Sequence, residues 1–301
     1  MTKSSMGIVE WAMLLFLSLI WGLSFFFMKV AVAELPVFTI VLIRVSSAAL
    51  TLFVVLKITK VVIPKGLEIW KIFFVMGFMN NLVPFSLLVW GMTEIASGLA
   101  SILNATTPIF TIIVAHFMTR DERITIHKII GVLLGLAGVI ILIGVDALGG
   151  MNGSVLAMLA CLGAALSYGF ASVYGRKLKL KPTVGAFGQV TASSFLLLPI
   201  SLIVDNPWTL AIPSQNIMFS LIALGVLSTA LAYVLYFNIL ATAGATNVTL
   251  VTLLVPVSAI LLGWMVLGES LSINHFVGMG LISFGLLAID GRLLGKKKAT
   301  Q

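Results

Sequence analysis

Apolar runs of about twenty residues recur from Trp11 to Leu294, and only short charged gaps separate them. A bilayer core about 30 Å thick is crossed by about 20 helical residues at 1.5 Å each. Irregular backbone facing lipid is excluded, because its polar groups would have no partners there. The runs therefore predict membrane-spanning helices, at Trp11 to Val32, Val37 to Leu56, Ile69 to Trp90, Ala96 to Met118, His127 to Val145, Gly153 to Tyr174, Val184 to Val204, Asn216 to Ala241, Thr246 to Leu267 and His275 to Leu294. The uncharged stretch from Ile217 to Gly268 is too long for one span, so a bend is expected near Ala243, Gly244 and Ala245. The first run exceeds the apolar core of a signal peptide, about 7 to 15 residues, and is expected to stay as a helix. Composition agrees: 9% of the 301 residues are charged and 60% hydrophobic, too few charges for a water-facing surface. The expectation is an all-α integral membrane protein of ten transmembrane helices.

The net charge of +8 would raise nucleic acid as a partner in a soluble chain. Here the basic residues sit in alternate gaps, which speaks of membrane orientation instead. One set of gaps holds Lys57, Lys60, Lys65 and Lys71, then Arg120, Arg123 and Lys128, then Arg176, Lys177, Lys179 and Lys181, and the tail adds Arg292 and Lys296 to Lys298. The other set holds Glu34, Glu94, Asp146, Asp205 and Glu269, without Lys or Arg. Both termini are expected to be cytoplasmic, with no nucleic-acid partner and membrane lipids as the surroundings.

The chain also matches itself. Glu122-Arg123-Ile124-Thr125 with Gly131 and Gly138 corresponds to Glu269-Ser270-Leu271-Ser272 with Gly278 and Gly285 at an offset of 147 residues. Trp21-Gly22 through Lys29 corresponds to Tyr168-Gly169 through Arg176 at the same offset, and Pro108 to Pro256 at 148. Residues 1–148 and 149–301 thus read as two five-helix repeats. Five is odd, so the second copy enters the membrane inverted. Inverted repeats recur in secondary transporters, whose binding site lies near mid-membrane between the halves.

This layout resembles the drug/metabolite transporter superfamily, specifically the EamA-type exporters. The residues that carry the likeness are Leu19-Ile20-Trp21-Gly22 leading to Lys29, Arg44 early in the second helix, and the paired Glu-x-[Ile/Leu]-[Ser/Thr] and glycine pattern. The resemblance implies a bacterial inner-membrane permease that often exports amino acids or related metabolites. It also implies a central cavity lined by helices one, three, four, six, eight and nine. Tyr168 stands where the first half has Trp21, and Gln189 where it has Arg44, so the symmetry is approximate.

Buried amides in lipid need partners. Asn80 and Asn81 in the third helix, and Asn104 with Thr107 in the fourth, either bond across helices or hold the polar ends of a solute. Trp21, Phe25, Phe85, Tyr168, Tyr233 and Tyr236 would give such a cavity aromatic walls, or serve as packing. Lys29 and Arg44 are expected at an outer vestibule. Lys29 either snorkels to the headgroups on its long stem or meets a substrate carboxylate there. For Arg44, about 10 Å in by helical rise, a structural ion pair with Glu34 or Glu94 is favoured over a functional role. Pro84, Pro108 and Pro256 interrupt helices and read as hinges or simple kinks. Gly131 and Gly135 form a Gly-x-x-x-Gly face suited to close helix packing, either in a homodimer or within the chain. Glu122 and Glu269 read as structural carboxylates near helix starts, and the single Cys161 as a packing residue.

No Gly-x-Ser-x-Gly elbow, no Gly-x-x-x-x-Gly-Lys phosphate loop and no His-Glu-x-x-His pair occurs, so no catalytic residue, metal site or cofactor is expected. The function expected is a secondary carrier of small organic metabolites working by alternating access. A lipid-linked or sugar-nucleotide carrier and a non-transporting scaffold or receptor are the alternatives. No carboxylate falls at mid-depth, so facilitated flux or exchange is expected over proton coupling.

Overall fold

A computed structural model describes residues 6–95, 97–143, 155–267 and 273–290. Ten helices are traced among them: α1 (Ile8–Ala31), α2 (Val37–Ile58), α3 (Leu67–Glu94), α4 (Ser97–Met118), α5 (Ile126–Ile143), α6 (Val155–Tyr174), α7 (Pro182–Val204), α8 (Gln215–Thr249), α9 (Val251–Leu267) and α10 (Ile273–Asp290). The expected repeat boundary at 148/149, together with Ala96, Asp146, Glu269 and the basic tail, lies outside the described residues.

Lipid-facing positions are apolar, as a spanning bundle requires. Phe16, Leu50, Leu133, Leu159, Phe195, Phe219 and Phe284 are all exposed. The bend expected in the long uncharged stretch falls at Gly244, whose φ of 87° and ψ of 175° break the trace of α8. That backbone region is open essentially to glycine alone.

The halves interlock by swapped contacts. Helix α1 packs on α8 and α9 of the second half, while α6 packs on α3 and α4 of the first; α2 meets α7 and α8, and α7 meets α3. Helices α5 and α10 pair with each other. A Cβ on Gly131 would lie 2.6 Å from the Gly285 carbonyl oxygen, and one on Gly138 2.8 Å from that of Gly278. The small-residue face expected from the sequence is therefore an internal α5–α10 contact.

Both α3 and α8 carry a π-helical turn, at Phe78–Leu82 and Val226–Leu231. The two turns start 148 residues apart, each directly after a glycine, Gly77 and Gly225. A Cβ on Gly77 would meet the Ser193 nitrogen at 2.8 Å and the Gln189 oxygen at 2.9 Å; one on Gly225 would overlap Ser47 and reach the Arg44 oxygen at 3.0 Å. Backbone contact at these glycines seats α3 on α7, and α8 on α2, in the same manner.

Carboxylates tie helix starts across the halves. Glu34 accepts the Ser214 N–H at the start of α8 (2.8 Å), and that bond holds its carboxyl below the usual range. Asp205 accepts the N–H and hydroxyl of Thr39 in the first turn of α2, at 2.6 and 2.9 Å. At the opposite, basic end, Glu122 accepts the N–H groups of Ala245 and Thr246, both at 2.9 Å. Its role is structural as expected, but the helix start it caps is the segment after Gly244 in the other half, where unpaired N–H groups favour an anion.

Candidate functional site

The π turns and prolines free backbone carbonyls at the bundle centre, and the site is built around them. Proline cannot donate to the carbonyl four residues back, and its ring crowds that oxygen. For Pro84 that oxygen belongs to Asn80, and the Tyr233 hydroxyl donates to it at 3.0 Å. For Pro108 it belongs to Asn104, and the Thr107 hydroxyl takes it at 2.6 Å. In the α8 π turn the Ser228 carbonyl accepts from Trp21 Nε1 at 3.2 Å and from Arg44 Nη2 at 3.5 Å. In the α3 π turn the Met79 carbonyl accepts from Ser167 at 2.6 Å.

These groups surround a central cavity of about 600 Å³, counted together with the open space at its mouth. Its walls include Trp21, Phe25, Asn80, Phe85, Asn104, Thr107, Tyr168, Tyr233 and Tyr236, all named as candidates by the sequence. Asn81 stands behind the wall, fully buried, donating to Ser193 at 2.9 Å and accepting from the Tyr233 hydroxyl. Phe85 stacks on Tyr233 with ring planes 11° apart, and Trp21 lies 6.0 Å from Tyr236.

Arg44 lies elsewhere than the outer vestibule expected for it. It lines the central cavity, 2% exposed, and neither Glu34 nor Glu94 pairs with it. Helical rise measures depth, not the face on which a side chain leaves, and α2 turns this one inward. Its Nε donates to the Thr229 hydroxyl at 2.8 Å, its Nη1 to the weakly accepting Met28 sulfur at 3.3 Å, and the guanidinium carbon sits 3.7 Å from the centre of the Phe85 ring. Five N–H groups thus meet one good acceptor and two poor ones. Arg44 is the one charged side chain among the described residues lining the cavity. Asn104, 6% exposed, has a side-chain oxygen without a hydrogen-bond partner among the described residues.

Lys29 is exposed near the other end of α1 and donates to the Met92 carbonyl at 2.8 Å. Of the three prolines expected as hinges, Pro84 follows the π turn of α3, Pro108 follows the break in α4 at Ala105–Thr106, and Pro256 sits inside α9.

Sequence reasoning passed over Ser228, Thr229 and Gln189 as site residues. Gln189 bonds Asn80 across α7 and α3 at 3.2 Å, just as Arg44 bonds Thr229 across α2 and α8. The duplication itself carried the signal, since Ser228 and Thr229 stand 148 residues after Asn80 and Asn81.

Comparison with known proteins decides what kind of molecule carries this cavity. The sequence pattern of the EamA-like transporter family matches residues 9–144 and again 155–289. The chain belongs to that family. It is a multi-pass membrane transporter of the EamA type, built as two inverted repeats. Among relatives, the uncharacterized transporter YoaV of Bacillus subtilis is 30% identical over 95% of this chain and 96% of its own. An uncharacterized transporter of Archaeoglobus fulgidus is 27% identical over 93% and 98%. A probable amino-acid metabolite efflux pump of Escherichia coli is 27% identical over 89% and 90%. One solved structure shares the fold of this EamA-type chain, with a TM-score of 0.72 at 17% identity over 94% of this chain and 99% of that one.

Proposed function

We propose that this EamA-type transporter exports small carboxylate-bearing metabolites, amino acids and their relatives, by alternating access across the bacterial inner membrane, with both termini in the cytoplasm. The observation that carries this reading is Arg44: a buried guanidinium in the central cavity with no carboxylate partner among the described residues and poorly satisfied donors. A buried cation without a counter-ion is costly in membrane, and a carboxylate on the cargo supplies that counter-ion through paired N–H donors. The unpartnered Asn104 oxygen accepts from a cargo ammonium or amide. Phe85, Tyr168, Tyr233 and Tyr236 give the rest of the solute an aromatic enclosure. The relative named as an amino-acid metabolite efflux pump points to the same cargo class.

A hollow centre speaks against a scaffold packed solid, and a small chamber with one cation speaks against a sugar-nucleotide carrier. No acid lines the cavity among the described residues, which favours facilitated flux or exchange.

The test is ligand-induced stabilisation of purified protein across amino acids, their amides and the corresponding decarboxylated amines. A ligand at 100 times its Kd adds about 2.7 kcal/mol. Compounds with a free carboxylate are expected to raise the melting temperature of the wild type and to lose that effect in Arg44→Gln. Equal stabilisation by amines and acids, or an undiminished response in Arg44→Gln, overturns the reading.

A further inference from the structure

A groove of about 690 Å³, counted together with the open space at its mouth, lies between α1, α4 and α9, toward the end opposite the basic gaps. Lys29 and Ser97 stand at its outer part, Ser101 midway, and Gly22 and Pro256 at its deep end. Phe25 and Val255 belong to the walls of this groove and of the central cavity alike. Only those two side chains are shared between the described walls of the two spaces.

The inverted repeat supplies a built-in comparison. Gly22, Phe25 and Lys29 correspond to Gly169, Ser172 and Arg176 at an offset of 147, while Ser97, Ser101 and Pro256 correspond to Ala245, Thr249 and Pro108 at 148. At the basic end those counterparts are drawn together. A Cβ on Gly169 would lie 3.0 Å from both Phe110 Cβ and the Thr111 nitrogen. Ser172 is bonded to the Tyr236 hydroxyl at 2.9 Å. Arg176 pairs with Asp121 and, at 3.3 Å, with Glu122, which in turn holds the N–H groups of Ala245 and Thr246. The positions that line the α1–α4–α9 groove at the acidic end are therefore parted, while their counterparts at the basic end are latched. Of those counterparts only Arg176 borders the separate groove at the basic end, which otherwise lies on other residues, among them Lys179, Gly185 and Phe237.

We propose that the α1–α4–α9 groove is the outer portal of the transport path, and that the Phe25 ring is the gate between it and the central cavity. The proposal rests on the transport reading above. Rotation of Phe25 joins the two spaces, and Lys29 then offers an exiting carboxylate a second cation near the surface. At the other end, the Glu122–Arg176 latch keeps the path shut while the portal is open.

Single cysteines test this without any cargo, because Cys161 is the one native cysteine and Cys161→Ala gives a clean background. In sealed vesicles of known orientation, a membrane-impermeant maleimide applied from the outer side is expected to label Ser101→Cys readily and its counterpart Thr249→Cys hardly at all. Thr107→Cys, in the central wall, is expected to react slowly with Phe25 present and about tenfold faster with Phe25→Ala. Phe25→Leu, a milder change, should give an intermediate rate if Phe25→Ala compromises folding. Labelling of Ser101→Cys by a lipid-soluble maleimide alone would mark the groove as filled by acyl chains and overturn the portal. An unchanged rate at Thr107→Cys in both Phe25 variants would overturn the gate. Since neither readout needs transport, a failure here is separate from failure of the proposed cargo, which the Arg44→Gln melting test reports.

Discussion

A charged side chain at mid-membrane costs from about 2.5 to 3.5 kcal/mol on insertion scales to about 10 to 17 in simulations of an isolated helix, and against that upper range Arg44 is offset only in part. Its stack on Phe85 is worth about 2 kcal/mol when desolvated; one good hydrogen bond, to Thr229, adds about 1.5 to 3. The corresponding position in the other half carries neutral Gln189, which forms the same cross-helix link to a π turn without a charge. A link of this kind therefore does not require arginine, and the charge is left for the proposed cargo. Tyr233 shows the opposite case, a polar group absorbed by structure. Its hydroxyl proton lies between the Asn80 carbonyl and the Asn81 side-chain oxygen. Tyr233→Phe keeps the ring against Phe85 but strands those buried acceptors, at about 1 to 3 kcal/mol. A thermal melt of the purified variant is expected to show that loss; an unchanged melting temperature would mean that water or another donor replaces the hydroxyl.

The helices themselves were largely legible. Val37 and Val204 begin and end their helices where hydropathy placed them, and the break fell at Gly244 because only glycine accepts that backbone. The π turns were not legible. Inserting one residue into a helix that is apolar on nearly every side leaves no mark in the apolar pattern. Nor were the partners of the polar residues, since Asn80 meets Gln189 across 109 positions of sequence. The cavity aromatics could be named because tyrosines and tryptophans deep in apolar runs are scarce; the inward turn of Arg44 could not, because depth along α2 says nothing about facing. The π turns give a prediction at this scale. Gly77→Ala puts a methyl against two backbone atoms of α7, whereas Gly225→Ala strikes the Ser47 side chain first. Both variants are expected to be destabilised, by about 1 to 3 kcal/mol, but Ser47→Ala should recover part of the loss only for Gly225→Ala. Equal rescue of both, read from melting curves, would contradict the seating of α3 and α8 described above.

Across the whole molecule, each half completes the other. Helix α1 closes on α8 and α9 as α6 closes on α3 and α4, so the central cavity lies between the repeats. Duplication supplies two similar ends to that cavity, and here the carboxylate of Glu122 and the guanidinium of Arg176 hold one of them together. The proposed alternating access needs exchange of two nearly equivalent arrangements, which agrees with walls built from pseudo-symmetric pairs such as Phe85 and Tyr233. Uptake into proteoliposomes preloaded with unlabelled amino acid measures this most directly. Labelled cargo is expected to accumulate transiently by exchange, to saturate with concentration, and to fall at least tenfold in Arg44→Gln, about 1.4 kcal/mol of lost stabilisation. Linear, unselective leakage that Arg44→Gln leaves unchanged would contradict a carrier whose central arginine grips a carboxylate.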